Sequence, residues 1–284
     1  MDPRFTVCGG CHIDRQLHFE VLPLPGRTAP ARQSERVGGV ATNVAVQLAA
    51  WKAETRLVGV QPPQALDAMT ARLSEAGVDP LLLPLAGEPP CYTALLGPNG
   101  DLLSGAAVMA LYDAVTASLL GPALQENADA VIWDANFPQA AITAAVGAMP
   151  AAMRQFAIGT SAAKIDRLSA ILPRLDAIVV NRDEAACLVA AAGVAEMALA
   201  LATLCGGASV LVSDGGGLAA LATGGAVVTA QPPAVALANA NGAGDVMAAR
   251  LFYDLVVDDV MAPQTRLERA LAAGAAFAAG RNAS

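Results

Sequence analysis

Four short runs from residue 131 onward are apolar almost without interruption: VIWD (131–134), QFAIG (155–159), AIVVN (177–181) and VLVS (210–213). Strands that read this way are buried on both faces. Stretches of helical spacing separate them, such as PQAAITAAVGAM and AAKIDRLSAILPRL. Parallel strands need a crossover between them, and a helix is the usual one. The alternation therefore predicts an α/β fold: a central, mostly parallel sheet with helices on both faces. In such sheets the site lies at the carboxyl ends of the strands.

The first half is less regular. RFTVCG (4–9) reads as a short strand ending in glycine, and ETRLVGV (54–60) as another. GGVATNVAVQLAAW (38–51) opens with two glycines and then places Val44, Leu48 and Trp51 on one helical face. PQALDAMTARLSEAGVDP (63–80) reads as a helix closed by glycine and proline. RQLHFEVLPLPG (15–26) alternates like an exposed strand, and CYTALLGPNGDLLSGAAV (91–108) is a hairpin around Asn99-Gly100. These two pieces break the alternation. They are expected to form a small β lid, drawn from about 12–35 and 90–108, within a single domain spanning 1–284. LAALATGGAVVTAQPP (218–233) reads as a second hairpin, and two helices close the chain.

Composition narrows the partners. The hydrophobic fraction is 55% but aromatics are only 4%, so the core is built from Ala, Leu and Val. The net charge is −8 and lysine occurs only at Lys52 and Lys164, which excludes the basic footprint of a nucleic-acid or anionic-membrane binder. No apolar run of membrane-spanning length and no signal-peptide pattern is present. Five scattered cysteines suggest reduced thiols and a cytoplasmic setting. Cys8-Gly-Gly-Cys11-His12 fits both a haem-attachment and a redox pattern. The simpler reading is two buried thiols in a strand and its turn. His12 and His18 read as lid or turn residues; Lys164 either faces a bound ligand or is, more simply, a helix-surface cation. Asp134 and Asn136 either line a cleft or satisfy the turn before Pro138.

The most specific signal is NANGAGDVMAARL (239–251). Gly242-Ala243-Gly244-Asp245 precedes an amphipathic run and should open a helix, where unpaired amides and the helix dipole favour an anion. Asp245 could be a simple N-cap. Three small residues beside a carboxylate instead suggest phosphoryl transfer: amides hold the moving phosphate and the carboxylate takes a hydroxyl proton.

With these residues the chain resembles the PfkB/ribokinase family of sugar and nucleoside kinases. NANGAGD is similar to the family's D-T-x-G-A-G-D, Gly38–Ala45 to its G-G-x-x-x-N-x-A, and Asn181-Arg182-Asp183-Glu184 to its N-x-x-E. The resemblance implies a ribokinase-like fold and an ATP-dependent kinase. It implies that Asp245 is the general base and that Gly242, Ala243 and Gly244 form the anion hole. Asp14, Gly39 and Asn43 would hold the sugar. Asn181 and Glu184 would organise Mg²⁺ near the phosphates, with Glu184 as its carboxylate, and Ser213 and Gly215 would lie by the ATP phosphates. Under the resemblance Cys8-x-x-Cys11-His12 is coincidence, because Asp14 ends the family's G-x-x-x-D segment. Several stretches, among them CYTALLGPNGDLLSGAAVMALYDAVT and SAAKIDRLSAILPRLDAIVVNRDEA, look most like pseudouridine kinases. That implies 5′-phosphorylation of a C-glycosidic nucleoside. An exposed lid edge would suit a homodimer.

The chain also departs from the pattern. Asn239 and Ala240 stand where Asp-Thr is usual, which puts potassium activation in question. LVGVQPPQAL lacks the usual G-D-D-x-x-G, Thr42 replaces an Arg of pseudouridine kinases, and SDGGGL is a residue short of the nucleotide loop. The alternative to an active kinase is therefore a weakened or non-catalytic nucleoside- or sugar-binding relative. No Walker A sequence and no G-x-G-x-x-G after the first strand occur, so P-loop and dehydrogenase readings fail.

Overall fold

The structure, a computed structural model, describes residues 2–124, 127–236 and 241–280. Asn239 and Ala240 lie outside the described residues. The first half forms β1 (Arg4–Cys8), β2 (His12–Phe19), β3 (Ala31–Gly38), α1 (Val40–Ala50), β4 (Glu54–Gln61), α2 (Leu66–Glu75), β5 (Asp79–Pro84), β6 (Cys91–Leu96) and β7 (Leu102–Val108). Short helices α3 (Ala110–Asp113) and α4 (Ala117–Leu120) lead to β8 (Ala130–Asp134), α5 (Gln139–Ala148), β9 (Arg154–Ile158) and β10 (Ala177–Asn181). Then come α6 (Arg182–Leu188), α7 (Val194–Leu204), β11 (Ser209–Ser213), β12 (Ala219–Thr223), β13 (Ala226–Ala230), α8 (Ala243–Val257) and α9 (Pro263–Ala278).

Nine of these strands make one sheet in the order β13-β12-β11-β10-β9-β8-β1-β4-β5. Every pairing from β5 to β11 is parallel, and the β11–β12 and β12–β13 pairings are antiparallel. Side chains alternate between two cores. Cys8, Trp133, Ile178 and Val212 pack with α5 and α7 on one face. Val7, Ile132, Val179 and Leu211 pack with α1, α8 and α9 on the other. Both faces are covered, as the unbroken apolar runs require. The small residues let helices approach closely: a Cβ on Gly274 of α9 would meet the Ala243 carbonyl of α8 at 2.9 Å.

The strand order reverses at β1. The chain leaves β1 for β4 on one side and returns later to β8 on the other. The crevice outside the carboxyl ends of β1 and β8 is the usual ligand position in such a sheet. A second sheet, β3-β2-β6-β7, stands beside that crevice.

Two strands were not expected. β3 (ARQSERVG) has no apolar alternation, and pairing with β2 defines it, including the Arg15–Glu35 ion pair at 2.9 Å. β5 (DPLLLP) begins in the glycine-and-proline stretch that closes the expected helix and continues into residues given no element, yet it pairs with β4 as an edge strand. An edge position tolerates prolines 80 and 84, which cannot donate to a ladder. The helix expected over 162–175 is a 3₁₀ run, Ile165–Arg174, with Pro173 in its last turn. The Cys8 and Cys11 side chains sit fully buried in different cores, and burial raises both thiols, Cys11 to about 12. A redox pair or haem attachment does not fit that placement.

Candidate active site

Asp134, at the end of β8, is fully buried and organises the switch point. Its Oδ2 accepts the N–H groups of Gly10 (2.8 Å) and Ala41 (3.1 Å) and the side chain of Asn136 (2.8 Å). Its Oδ1 accepts the Asn136 N–H at 2.8 Å. One carboxylate thus ties the end of β1, the first turn of α1 and the turn after β8. Space for it comes from glycine: a Cβ on Gly9 would lie 2.2 Å from the Asp134 Cγ. Asp134 therefore satisfies the turn, whereas Asn136 lines the cleft.

Gly242 caps α8 in the left-handed region, φ 95°, a conformation that disfavours any side chain. Asp245 is the third helical residue, and its N–H donates to the Gly242 carbonyl at 3.1 Å. Its side chain does not cap the helix, so the N-cap reading fails. Instead Asp245 Oδ2 accepts the Asn43 Nδ2 at 2.7 Å, across from the first turn of α1. Burial pushes the Asp245 carboxyl up to about 7, assisted by the charges of Asp134 and Glu184. Donation from Asn43 and the Arg36 charge oppose the rise. The amides of Ala243 and Gly244 occupy the same first turn, where helical geometry supplies no intrahelical acceptor.

A cleft of about 850 Å³ opens here. Its walls include Asp14, Gly39, Asn43 and Asp245, which are 231 residues apart in sequence at the extremes. Two-residue periodicity places Asp14, Gln16 and His18 of β2 and Tyr92, Ala94 and Leu96 of β6 on the cleft-facing side of the small sheet. Asp14 is held from two sides, by His12 Nε2 at 3.3 Å and Arg36 Nη2 at 3.4 Å. Gly39 caps α1 with φ 105°, and a Cβ there would lie 2.3 Å from the Gly10 carbonyl. Thr42 turns away from the cleft: it is fully buried and its hydroxyl donates to the Gly10 carbonyl at 3.0 Å.

Lys164 is not a helix-surface cation. It is half-buried in the cleft wall, and its Nζ donates to Asn136 Oδ1 at 2.8 Å. Burial lowers its pKa, with Arg167 acting the same way and Asp134 and Asp113 opposing.

Asn181, Glu184, Ser213 and Gly215 form a separate group along the same edge, at the ends of β10 and β11; none of them lines the 850 Å³ cleft. Asn181 pairs in register with Ser213. Asn181 and Glu184 make a capping box: Glu184 N–H donates to Asn181 Oδ1 and Asn181 N–H to Glu184 Oε2, both at 2.9 Å. Burial raises the Glu184 pKa, the Asn181 N–H opposes, and Asp183 adds to the rise. Gly215 turns the chain with φ 55°. Among the described residues no group of three or more His, Cys, Asp or Glu could hold a metal ion directly. Magnesium bound through its own water and phosphate oxygens needs only one or two carboxylates, and Glu184 fits that outer role.

Three residues went unrecognised in sequence: His12 and Arg36, which grip Asp14, and Tyr112, which grips His12. His12 reads in sequence as a lid or turn residue; Asp14 lies two positions on, but Tyr112, which orients the ring, is 100 positions away.

The pfkB family carbohydrate kinase profile matches residues 6–280. The chain belongs to the pfkB family of carbohydrate kinases. This kinase resembles a carbohydrate kinase from Agrobacterium tumefaciens at 28% identity, with a TM-score of 0.83 over 96% of this chain and 90% of that one. A ribokinase from Thermotoga maritima shares the fold at 16% identity, TM-score 0.80, over 100% and 95%. So does Arabidopsis thaliana ribokinase complexed with ribose and ATP, at 20% identity, TM-score 0.77, over 98% and 93%. A search of curated proteins gives no match. The chain is thus a phosphotransferase on the ribokinase-like α/β fold.

Proposed function

We propose that this kinase transfers the γ-phosphoryl group of ATP to a hydroxyl of a sugar or nucleoside, with pseudouridine 5′-hydroxyl as the best acceptor. The observation that carries the reading is the Asn43–Asp245 contact at 2.7 Å on the wall of the cleft that Asp14 also lines. A carboxylate with its pKa raised to about 7 is matched to proton abstraction near neutral pH. Asp14 and Asn43 present an acceptor and a donor to sugar hydroxyls, and Gly39 lets the backbone approach. Ala243 and Gly244 amides, at the positive end of a 15-residue helix, suit the charge that develops on the phosphoryl oxygens. Ser213 and Gly215 lie along the same edge and suit the nucleotide phosphates. ATP in the Arabidopsis thaliana ribokinase complex supports the donor. Magnesium, when bound, neutralises phosphate charge, and Glu184 and Asn181 would hold its water shell.

The pseudouridine assignment rests on the sequence stretches quoted above. Lys164 supports it, since a cation on the cleft wall can donate to a base carbonyl. Thr42 weakens it, because the place of an arginine is taken by a side chain turned into the core. The small sheet acts in this reading as a lid over the acceptor, excluding water during transfer. Exposed Leu102, Leu103 and Val108 on or beside its edge support a homodimer through the lid.

The test is ADP release with ATP and Mg²⁺ over pseudouridine, uridine, cytidine, adenosine, ribose and fructose. Turnover on pseudouridine above the others, lost by about 10²-fold or more in Asp245→Asn, is the expected result. Turnover on ribose alone would move the acceptor to a free sugar. Binding by calorimetry without any turnover would favour the non-catalytic relative.

A further inference from the structure

The end of β1 carries a chain of hydrogen bonds that the transfer chemistry above does not use. Cys11 N–H donates to the Tyr112 hydroxyl at 2.8 Å. The same hydroxyl lies 3.1 Å from His12 Nδ1, and His12 Nε2 lies 3.3 Å from Asp14 Oδ1. Tyr112 is fully buried, and its pKa is raised, chiefly by burial, so its O–H stays in place as a donor. Both ends of the chain are fixed by chemistry. A backbone N–H can only donate and an ionised carboxylate can only accept. In a neutral imidazole one nitrogen donates and the other accepts. Only one arrangement then satisfies every member: Tyr112 O–H donates to Nδ1, and Nε2–H donates to Asp14.

We infer that His12, locked in its Nε2–H tautomer by Tyr112, is the positioning residue that aims Asp14 at the acceptor. The inference rests on the reading of Asp14 as a ligand of acceptor hydroxyls. Arg36 takes the other carboxylate oxygen at 3.4 Å, but its side chain is more than three times as exposed as that of Asp14. A buried, tautomer-fixed donor restrains direction better than a long, partly solvated arginine. His12 has a second anchor in its backbone, since β2 pairs it with Gly38, next to the Gly39 cap of α1. Moving His12 therefore moves Asp14 relative to the α1 end of the cleft. His12 touches no reacting atom in this scheme. Its effect falls on acceptor binding, equally in ground and transition states, and so on KM.

The experiment compares His12→Ala, His12→Gln, Tyr112→Phe and Asp14→Ala. It uses the better phosphorylated of pseudouridine and ribose, with melting temperature recorded for each variant. Asp14→Ala and His12→Ala are expected to raise the acceptor KM by about tenfold or more, the usual size for a lost hydrogen bond to a charged group. The KM for ATP and kcat should stay within about twofold. His12→Gln should recover most of the loss, because its amide can donate to Asp14 and accept from Tyr112. Tyr112→Phe should raise the acceptor KM in the same direction by a smaller factor, about threefold, since it frees the tautomer without removing the ring. An effect of Asp14→Ala with none from His12→Ala would overturn the inference and leave the reading of Asp14 intact. Equal losses in His12→Ala and His12→Gln, spread over kcat and both KM values, would also overturn it and indicate a merely structural histidine. No effect from Asp14→Ala would remove the reading of Asp14 and the inference with it.

Discussion

Replacing Asp245 by Asn should stabilise the protein, and by an amount that depends on pH. The carboxyl titrates at about 7 in the folded chain against an ordinary value of 3.8. Between those values the native state holds a proton that the unfolded state has released. Stability contributed by this group is therefore present at low pH and falls as pH rises through about 4 to about 7, then stays flat. A displacement of about three pH units is worth roughly 4 kcal/mol, and the part-exposed carboxylate and solvent screening reduce this to about 2 kcal/mol. Asn carries no charge at any pH, and its amide oxygen can still accept from Asn43. The variant should gain little at pH 4 and the full amount at pH 8, so the difference between the two melting curves should widen by about 2–4 °C over that range. Scanning calorimetry of both proteins at pH 4, 6 and 8 measures it. A variant that is equally stabilised at every pH, or less stable at pH 8, would refute the claim that burial holds this carboxylate near neutrality. The measurement needs no substrate, so it tests the electrostatics apart from the chemistry.

The remaining expectations concern the residues around that carboxylate. Asn43→Ala removes a charge-assisted donor, so the acid limb of the kcat/KM profile should move up by about one pH unit; an unmoved limb would separate Asn43 from Asp245 in solution. Gly159→Ala would place a Cβ 2.0 Å from Glu184 Oε2 and break the Asn181–Glu184 capping box, lowering stability by about 1–3 kcal/mol in urea melts and raising the magnesium needed for half activity. A wild-type melt would show that the loop gives way freely. Thr42→Arg, which restores the residue of pseudouridine kinases, would drive a cation into a fully buried site and leave the Gly10 carbonyl with the backbone N–H of residue 42 at 3.3 Å in place of two donors. Loss of folded protein, not a gain in nucleoside affinity, is the expected outcome, and recovery of a stable, more active variant would mean that α1 turns on its axis.

Some of this architecture was legible because it depends on local patterns. The four apolar runs became β8 to β11 with their buried faces, and GAGD became the first turn of α8 under a left-handed Gly242. Asn99-Gly100 became the tip between β6 and β7, with Gly100 at φ 83°. What escaped had no local signal. β3 is mostly polar and owes its conformation to β2, while β5 is tolerated only because its prolines sit at an edge. Lys164 reads as a surface charge because nothing near it in sequence marks a partner for its ammonium. Its partner Asn136 sits 28 positions earlier, at the end of another strand. His12, Arg36 and Tyr112 escaped for the same reason, since the contacts that define them join β2 to β3 and to α3.

The convergence of distant motifs has a single physical cause in Asp134. Gly9-Gly10, the first turn of α1 and the turn after β8 would each bury unpaired backbone N–H groups at the switch point, at a cost of roughly 1–3 kcal/mol apiece. The Asp134 carboxylate accepts the N–H groups of Gly10 and Ala41 at one oxygen and that of Asn136 at the other. Satisfying them in one place fixes the entry angle of α1, and α1 carries Asn43 to within 2.7 Å of Asp245. The same buried charge reaches Asp245 and raises its pKa. Asp134 thus positions the partner of the proposed base and adds to the rise that burial gives its pKa, without lining the cleft. Removing its charge as Asp134→Asn would force one amide hydrogen toward donors that need an acceptor. That change should lower stability and, through a displaced Asn43, lower kcat even with every cleft residue intact. A stable variant with unchanged kcat would show that α1 is held by packing alone.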